Sequence, residues 1–267
     1  MPRPIIEQID LPHPRLPDEL VGLRVLHLTD LHVKASAPWP RSLARLAFEL
    51  ERQAQDGNRP DLTLFTGDAM HHTGDEDAAF TALNRLIDAA GATYGAFGVV
   101  GNHDGVRFRE RLGEARRVRW LHDETLGLNL RGGGVRLVGS GNPENLLGAG
   151  VAPNPERFTI GIVHYPTEVY PASRLGIDVL LAGHTHGGQI RLGPSRAPHT
   201  ACDLTPEVAS GVLRLGDTLC CVSRGLGEAA LPLRIRCPRQ APLYTLRRGP
   251  MLGDSGDASR LTQVIAW

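Results

Sequence analysis

The sequence has no apolar run near the ~20 residues that a bilayer-crossing helix needs, so it offers no helical membrane span. Excess charge of one sign is also missing. Its 29 basic residues balance 29 acidic ones, and no net field recruits nucleic acid or an acidic membrane surface. Lysine is nearly absent: Lys34 is the only one, and arginine carries almost all the positive charge. Cysteine is sparse. Cys202, Cys220, Cys221 and Cys237 form no C-x-x-C pair and no zinc-type spacing. Residues 1–16 hold four prolines and no hydrophobic segment, which does not read as a signal peptide. Reduced, buried thiols in a cytoplasmic protein are therefore expected, with peripheral contact to the inner membrane left open.

What is present is ordinary globular material, 41% hydrophobic and 22% charged over 267 residues, enough for one large domain or two small ones. Residues 5–11 alternate apolar and polar, as an edge strand does. Residues 24–28, 61–66 and 94–100 read as buried strands, separated by amphipathic helices over 42–55 and 77–90. Such alternation implies a parallel sheet with helical crossovers. A short basic helix is expected over 108–119, followed by a hairpin of 126–130 and 135–139 across a Gly-rich turn. A loop dense in Gly, Pro and Asn is expected over 142–155. Further strands are expected at 158–163 and 177–182, and antiparallel strands at 208–214, 218–223 and 243–247.

The chemistry gathers where these strands stop. Residues 99–104, Val-Val-Gly-Asn-His-Asp, run from an apolar strand into Asn102, His103 and Asp104. Alone, that could be a turn as well as a site. Asp30 and His32 follow the first buried strand two residues apart, a spacing that puts both side chains on one face if the extension persists. Asp68 follows the second, behind Gly67. His164 ends another strand, and His184 and His186 end the next between glycines. One mixed oxygen and nitrogen metal site explains all five strand ends together, and the donor count suits two metals sharing a carboxylate.

In this order, Asp30-x-His32, Gly67-Asp68, Gly101-Asn102-His103-Asp104, His164 and Gly183-His184-x-His186 resemble the calcineurin-like metallophosphoesterase superfamily. Residues 182–189, with 222–227 and Pro232-Leu233-Arg234, are similar to its bacterial YkuE/YaeI-like branch. That resemblance implies an α/β fold of two mixed β-sheets packed as a sandwich and flanked by helices. The first half would be βαβ-like and the second mostly antiparallel, with one domain over 1–250 and a flexible tail over 251–267. It makes Asp30, His32 and His186 ligands of a first metal and Asn102, His164 and His184 ligands of a second, bridged by Asp68. The metals would be Mn²⁺, with Fe or Zn²⁺ as alternatives. His103 would protonate the leaving group, and Asp104 would orient His103 or else cap the following helix. Two departures stand out: His71 occupies a position that is acidic in many relatives, and Tyr165 one that is often Asn.

The function implied is hydrolysis of a phosphodiester or pyrophosphate bond in a small phosphoester or nucleotide-diphosphate-type substrate. Arg107 and Arg109 are candidate phosphate clamps, and His71 a candidate substrate contact. The specific alternative is hydrolysis of the UDP-2,3-diacylglucosamine pyrophosphate bond in lipid A synthesis. The remote one is a non-catalytic metal-binding scaffold.

Overall fold

The computed structural model describes residues 5–140, 152–154, 156–193, 196–229, 231–253 and 259–266; the loop expected over 142–155 lies mostly outside them. In chain order the elements are β1 (Ile6–His13), β2 (Arg24–Leu28), α1 (Arg41–Gln55), β3 (Leu62–Phe65), α2 (Glu76–Ala90), β4 (Ala96–Gly98) and α3 (Val106–Glu110). There follow β5 (Val118–Trp120), β6 (Glu124–Leu130), β7 (Gly133–Gly139), β8 (Phe158–Ile162), α4 (Val169–Arg174) and β9 (Val179–Ala182). The chain ends with β10 (Gly211–Leu215), β11 (Thr218–Val222), β12 (Ala241–Arg248) and β13 (Thr262–Ile265).

The strands form two mixed sheets, ordered β1-β12-β2-β3-β4-β5 and β13-β10-β11-β9-β8-β7-β6. Period-two burial sorts the side chains into layers. In β2, Val25 joins Leu64, Leu137, Ile160 and Leu181 between the sheets. Its neighbours Leu26 and Leu28 face the other way, onto Leu43, Leu46 and Leu50 of α1 and Leu83 and Leu86 of α2. The spacing Leu43, Leu46, Ala47, Leu50 gives α1 one apolar stripe, all of it buried. Each leucine so buried stabilises the fold by about 1.5–3 kcal/mol. Glu76 and Asp77 complement the dipole at the start of α2, and Gly91, left-handed at φ 54°, closes its end. On the far side, α4 packs Val169 and Ala172 against Leu180 and Val222. The result is helices, sheet, sheet and helix in layers.

Three expectations need correcting. The second half is not mostly antiparallel: β7–β8, β8–β9 and β9–β11 pair in parallel. Nor does β12 stay there; it inserts into the first sheet, parallel to β1 and antiparallel to β2. The basic helix over 108–119 is five residues long, because Val118–Trp120 is an edge strand beside β4 instead. The arginine run there spans a helix, a turn and a strand, so it presents no single face. Within 251–267, Thr262–Ile265 adds β13 to the edge of the second sheet through β10. Among the described residues, no helix is long and apolar enough to cross a membrane.

Candidate metal centre

Because β2, β3 and β4 are parallel neighbours, as are β8 and β9, their carboxyl ends open onto a common edge. The loops beyond β2 and β3 stay paired. Asp30 N–H donates to Gly67 O (2.9 Å), His32 N–H to Asp68 O (3.1 Å) and Val33 N–H to Ala69 O (3.0 Å). Asp30 and His32 do converge, but not by continued extension, since β2 stops at Leu28. Both are left-handed, as are Asp68, His184 and His186, at φ of 51°, 43°, 58°, 71° and 50°. Such backbone costs about 1–3 kcal/mol per non-glycine residue and survives where the surroundings impose it. The neighbouring glycines leave no room for a side chain. A Cβ on Gly101 would strike the Asp68 carboxylate, and one on Gly183 would strike Thr29 and Asp30.

Two clusters of donors result. In the first, His32 Nε2 and His186 Nε2 are 3.0 Å apart, and Asp30 Oδ1 lies 3.5 Å from the latter and 4.0 Å from the former. In the second, Asn102 Oδ1 lies 2.9 Å from His164 Nε2 and 3.0 Å from His184 Nδ1. Asp68 Oδ2 stands between the clusters, 3.5 Å from His32 Nε2 and 3.3 Å from His164 Nε2.

The outward nitrogens fix two of the imidazoles. His164 Nδ1 donates to Thr66 O (2.7 Å) and His184 Nε2 to Ala201 O (2.7 Å), for a carbonyl oxygen only accepts. When these rings are neutral, their lone pairs point inward, as metal-bound histidines require. Carboxylate, amide and imidazole donors without a thiolate fit Mn²⁺, Fe or Zn²⁺ of a catalytic rather than a structural kind.

Burial dominates the electrostatics. It lowers His32 to about 3 and His184 to about 4, and drives His186 well below its usual value. It also raises Asp30 to about 6. His164 departs from this: burial opposes its charge, yet the adjacent Asp68 carboxylate outweighs burial and lifts it to about 9. Asp68 is correspondingly held well below the carboxylate range; the charge of His164 overcomes its own burial. The protein alone thus balances one carboxylate with one proton, which a cation would replace.

The other candidate residues sort differently. His103 lies by the first cluster, its ring 4.6 Å from that of His32, with Nδ1 facing His71 O (2.8 Å). Asp104 does not meet the His103 imidazole, nor does it cap α3, whose first turn receives no side-chain cap. It is fully buried, and its carboxylate accepts the N–H groups of Asp68, Ala69, Met70 and Gly101 instead. Arg109 is committed to the same loop: its guanidinium donates to Asp104 O (2.7 Å) and Gly101 O (3.1 Å), so it braces the site instead of offering a free clamp. Arg107 is exposed. His71 is buried, with Nδ1 3.5 Å from His32 Nδ1, which sets it against a candidate ligand.

Arg234 is the residue that sequence reasoning left without a role. Almost wholly buried, it donates to Arg224 O (2.8 Å) and Gly227 O and approaches His186 Nδ1 (3.2 Å). The only signal in the sequence is its place behind the Gly225–Gly227 segment, which itself packs on Asp30 and His32.

The family model described as calcineurin-like phosphoesterase matches residues 23–188. Among curated proteins, the chain is 29% identical to a metallophosphoesterase of Bacillus subtilis, YkuE, covering 71% of this chain and 69% of that one. It is 26% identical to a second from the same organism, YkoQ, covering 80% and 79%. To the phosphodiesterase YaeI of Escherichia coli it is 25% identical, covering 86% and 84%.

Proposed function

We propose a reaction from the premise that this chain belongs to the calcineurin-like phosphoesterase family and is a metal-dependent hydrolase of phosphoric esters. The bond cut is a phosphodiester or a pyrophosphate, in a small substrate. Asp30, His32 and His186 would hold one cation and Asn102, His164 and His184 a second, with Asp68 placed to serve both. Cations held there would supply Lewis-acid polarisation of the phosphoryl group and would acidify water. The observation that carries this reading is the position of Asp68 Oδ2, 3.5 Å from one imidazole cluster and 3.3 Å from the other.

The remaining work falls to the chain's own residues. Asn102 and the imidazoles fix where the phosphoryl group lies, which removes translational freedom before the bond breaks. His103 donates a proton to the leaving oxygen. Its Nδ1 is occupied by His71 O, so Nε2 is the atom that delivers the proton. Asp104 holds the Asp68 and Gly101 backbones in place. Arg107, which is exposed, is the candidate for a second phosphate, whereas Arg109 is spent on the loop.

The test is metal content measured together with hydrolysis of bis-p-nitrophenyl phosphate and of a UDP-linked pyrophosphate. Stoichiometric metal and turnover of either substrate are expected. A protein that binds no divalent ion and turns over neither substrate would sink the reading.

A further inference from the structure

His32 differs from two of the other candidate ligands in what its outward nitrogen meets. His164 and His184 turn theirs to backbone carbonyls, Thr66 O and Ala201 O, which can only accept. His32 Nε2 faces inward, to His186 Nε2 (3.0 Å) and Asp68 Oδ2 (3.5 Å). Its outward atom is therefore Nδ1, which lies 3.5 Å from Nδ1 of His71. An imidazole nitrogen can present either a proton or a lone pair. Both residues are buried, which makes a mismatched pair costly.

Two facing imidazole nitrogens share one proton; two protons repel each other, and so do two lone pairs. If His71 carries that proton on Nδ1, neutral His32 keeps its own on Nε2, pointing into the cluster. If His71 is protonated on Nε2 instead, its Nδ1 is a lone pair and His32 Nδ1 donates to it. Nε2 of His32 is then bare toward Asp30, Asp68 and His186. Only this second arrangement gives the first cluster a ligand nitrogen. The tautomer of His71 thus selects the tautomer of His32.

The local fold holds His71 in place for this. Its N–H donates to Val33 O (3.0 Å), one residue beyond His32, beside the bridge between Val33 and Met70. Its carbonyl accepts from His103 Nδ1 (2.8 Å). One residue therefore serves His32 through its ring and His103 through its backbone, and replacing the side chain separates the two.

We infer that His71 is a positioning residue for the first cation: its Nδ1 accepts the His32 Nδ1 proton and so presents His32 Nε2 to the cluster as a lone pair. In place of the substrate contact expected for it, His71 has a role behind a ligand. The inference rests on the reading of Asp30, His32 and His186 as a cation site, and not on which bond is cut.

The experiment compares two substitutions. His71→Asn keeps an acceptor, since its amide oxygen takes the place of Nδ1, whereas His71→Phe keeps a ring and loses the acceptor. Calorimetry with Mn²⁺ measures cation binding to each. His71→Phe should bind one of two cations about 10–100-fold more weakly, and His71→Asn should restore the affinity. Hydrolysis of bis-p-nitrophenyl phosphate by His71→Phe should fall at limiting Mn²⁺ and climb as Mn²⁺ is raised. Unaltered Mn²⁺ affinity in His71→Phe overturns the inference, and a raised KM beside it would make His71 a substrate contact. Equal loss of affinity in both variants overturns it too, because packing and not the acceptor would then be responsible. Nitrogen NMR of the histidine rings in the unsubstituted, Zn²⁺-loaded protein needs no variant to fold. It should show His32 protonated on Nδ1 and His71 on Nε2; a proton on His71 Nδ1 refutes the assignment. The expected affinities in a protein that turns over no diester or pyrophosphate would support the role of His71 while refuting the hydrolase reading.

Discussion

Asp104 grips Asp68 by its backbone: Oδ2 accepts the Asp68 N–H at 2.8 Å, and the same oxygen takes Gly101 N–H at 2.9 Å. A buried carboxylate thus fastens the loop that bears the bridging candidate to the loop that bears Asn102 and His103. Hydrogen bonds to a charged group are worth about 1.5–3 kcal/mol each, offset here by burial, which raises Asp104 to about 6.

Asp104→Asn therefore replaces one acceptor oxygen by a donor facing buried N–H groups. We expect it to lose about 2–4 kcal/mol of stability in denaturant titrations and to bind less metal. Unchanged stability with lost turnover would instead mean that Asp104 acts on the substrate.

His103→Ala should keep its metal and lose about 10²–10⁴-fold in kcat, the usual span for a general acid. Metal analysis alongside turnover separates the two roles. Loss of the metal itself would make His103 a ligand.

Chelation should abolish hydrolysis and lower the melting temperature, and added Mn²⁺, Zn²⁺ or Fe²⁺ should restore both. A metal held at a hundred times its Kd stabilises by about 2.7 kcal/mol. Melting that does not respond to chelator would argue against these clusters as cation sites.

Arg234→Met removes a cation that bonds to Arg224 O, Gly227 O and the His186 loop. Occupancy of the Asp30–His32–His186 cluster should fall more than that of the other cluster. Counting bound metal per chain, with the remaining metal located spectroscopically, checks this.

His27 is wholly buried beside Thr66, and burial lowers it to about 3. The unfolded chain protonates this residue below about pH 6.5, whereas the folded one stays neutral until about pH 3. Its contribution is therefore full above pH 6.5 and lost as pH falls, by about 1.4 kcal/mol per unit. His27→Gln should lessen the acid sensitivity of stability by that slope between pH 6.5 and 4, read from denaturant midpoints.

Much of this molecule could be read from the residues. The 43/46/47/50 stripe gives the buried face of α1 before any coordinates, and the apolar run Val25–Leu28 gives a buried strand, because burial alone sets those patterns. The candidate ligands were legible for a related reason: Asp30, Asp68, His164 and His184 are poor strand-end packing choices unless something binds there. The backbone was not legible. An Asp-x-His pair looks the same whether extended or left-handed, and only the pairing of two distant loops decides it. Asp104 and Arg109 were misjudged because a charged side chain near a site looks the same whether it faces substrate or a carbonyl. Arg234 and β12 depend on contacts across most of the chain, which local pattern does not carry.

The insertion of β12 between β1 and β2 bears on how the protein is made. Until residues 241–248 leave the ribosome, β1 has no partner strand and β2 offers a bare edge. The first sheet is thus completed only near the end of synthesis, although five of its six strands, β1 to β5, are made first. For that interval the nascent chain carries an open, apolar edge of the sort that invites pairing with other chains. A chaperone holding β1 and β2 would shield the strand that leads into Asp30 and His32.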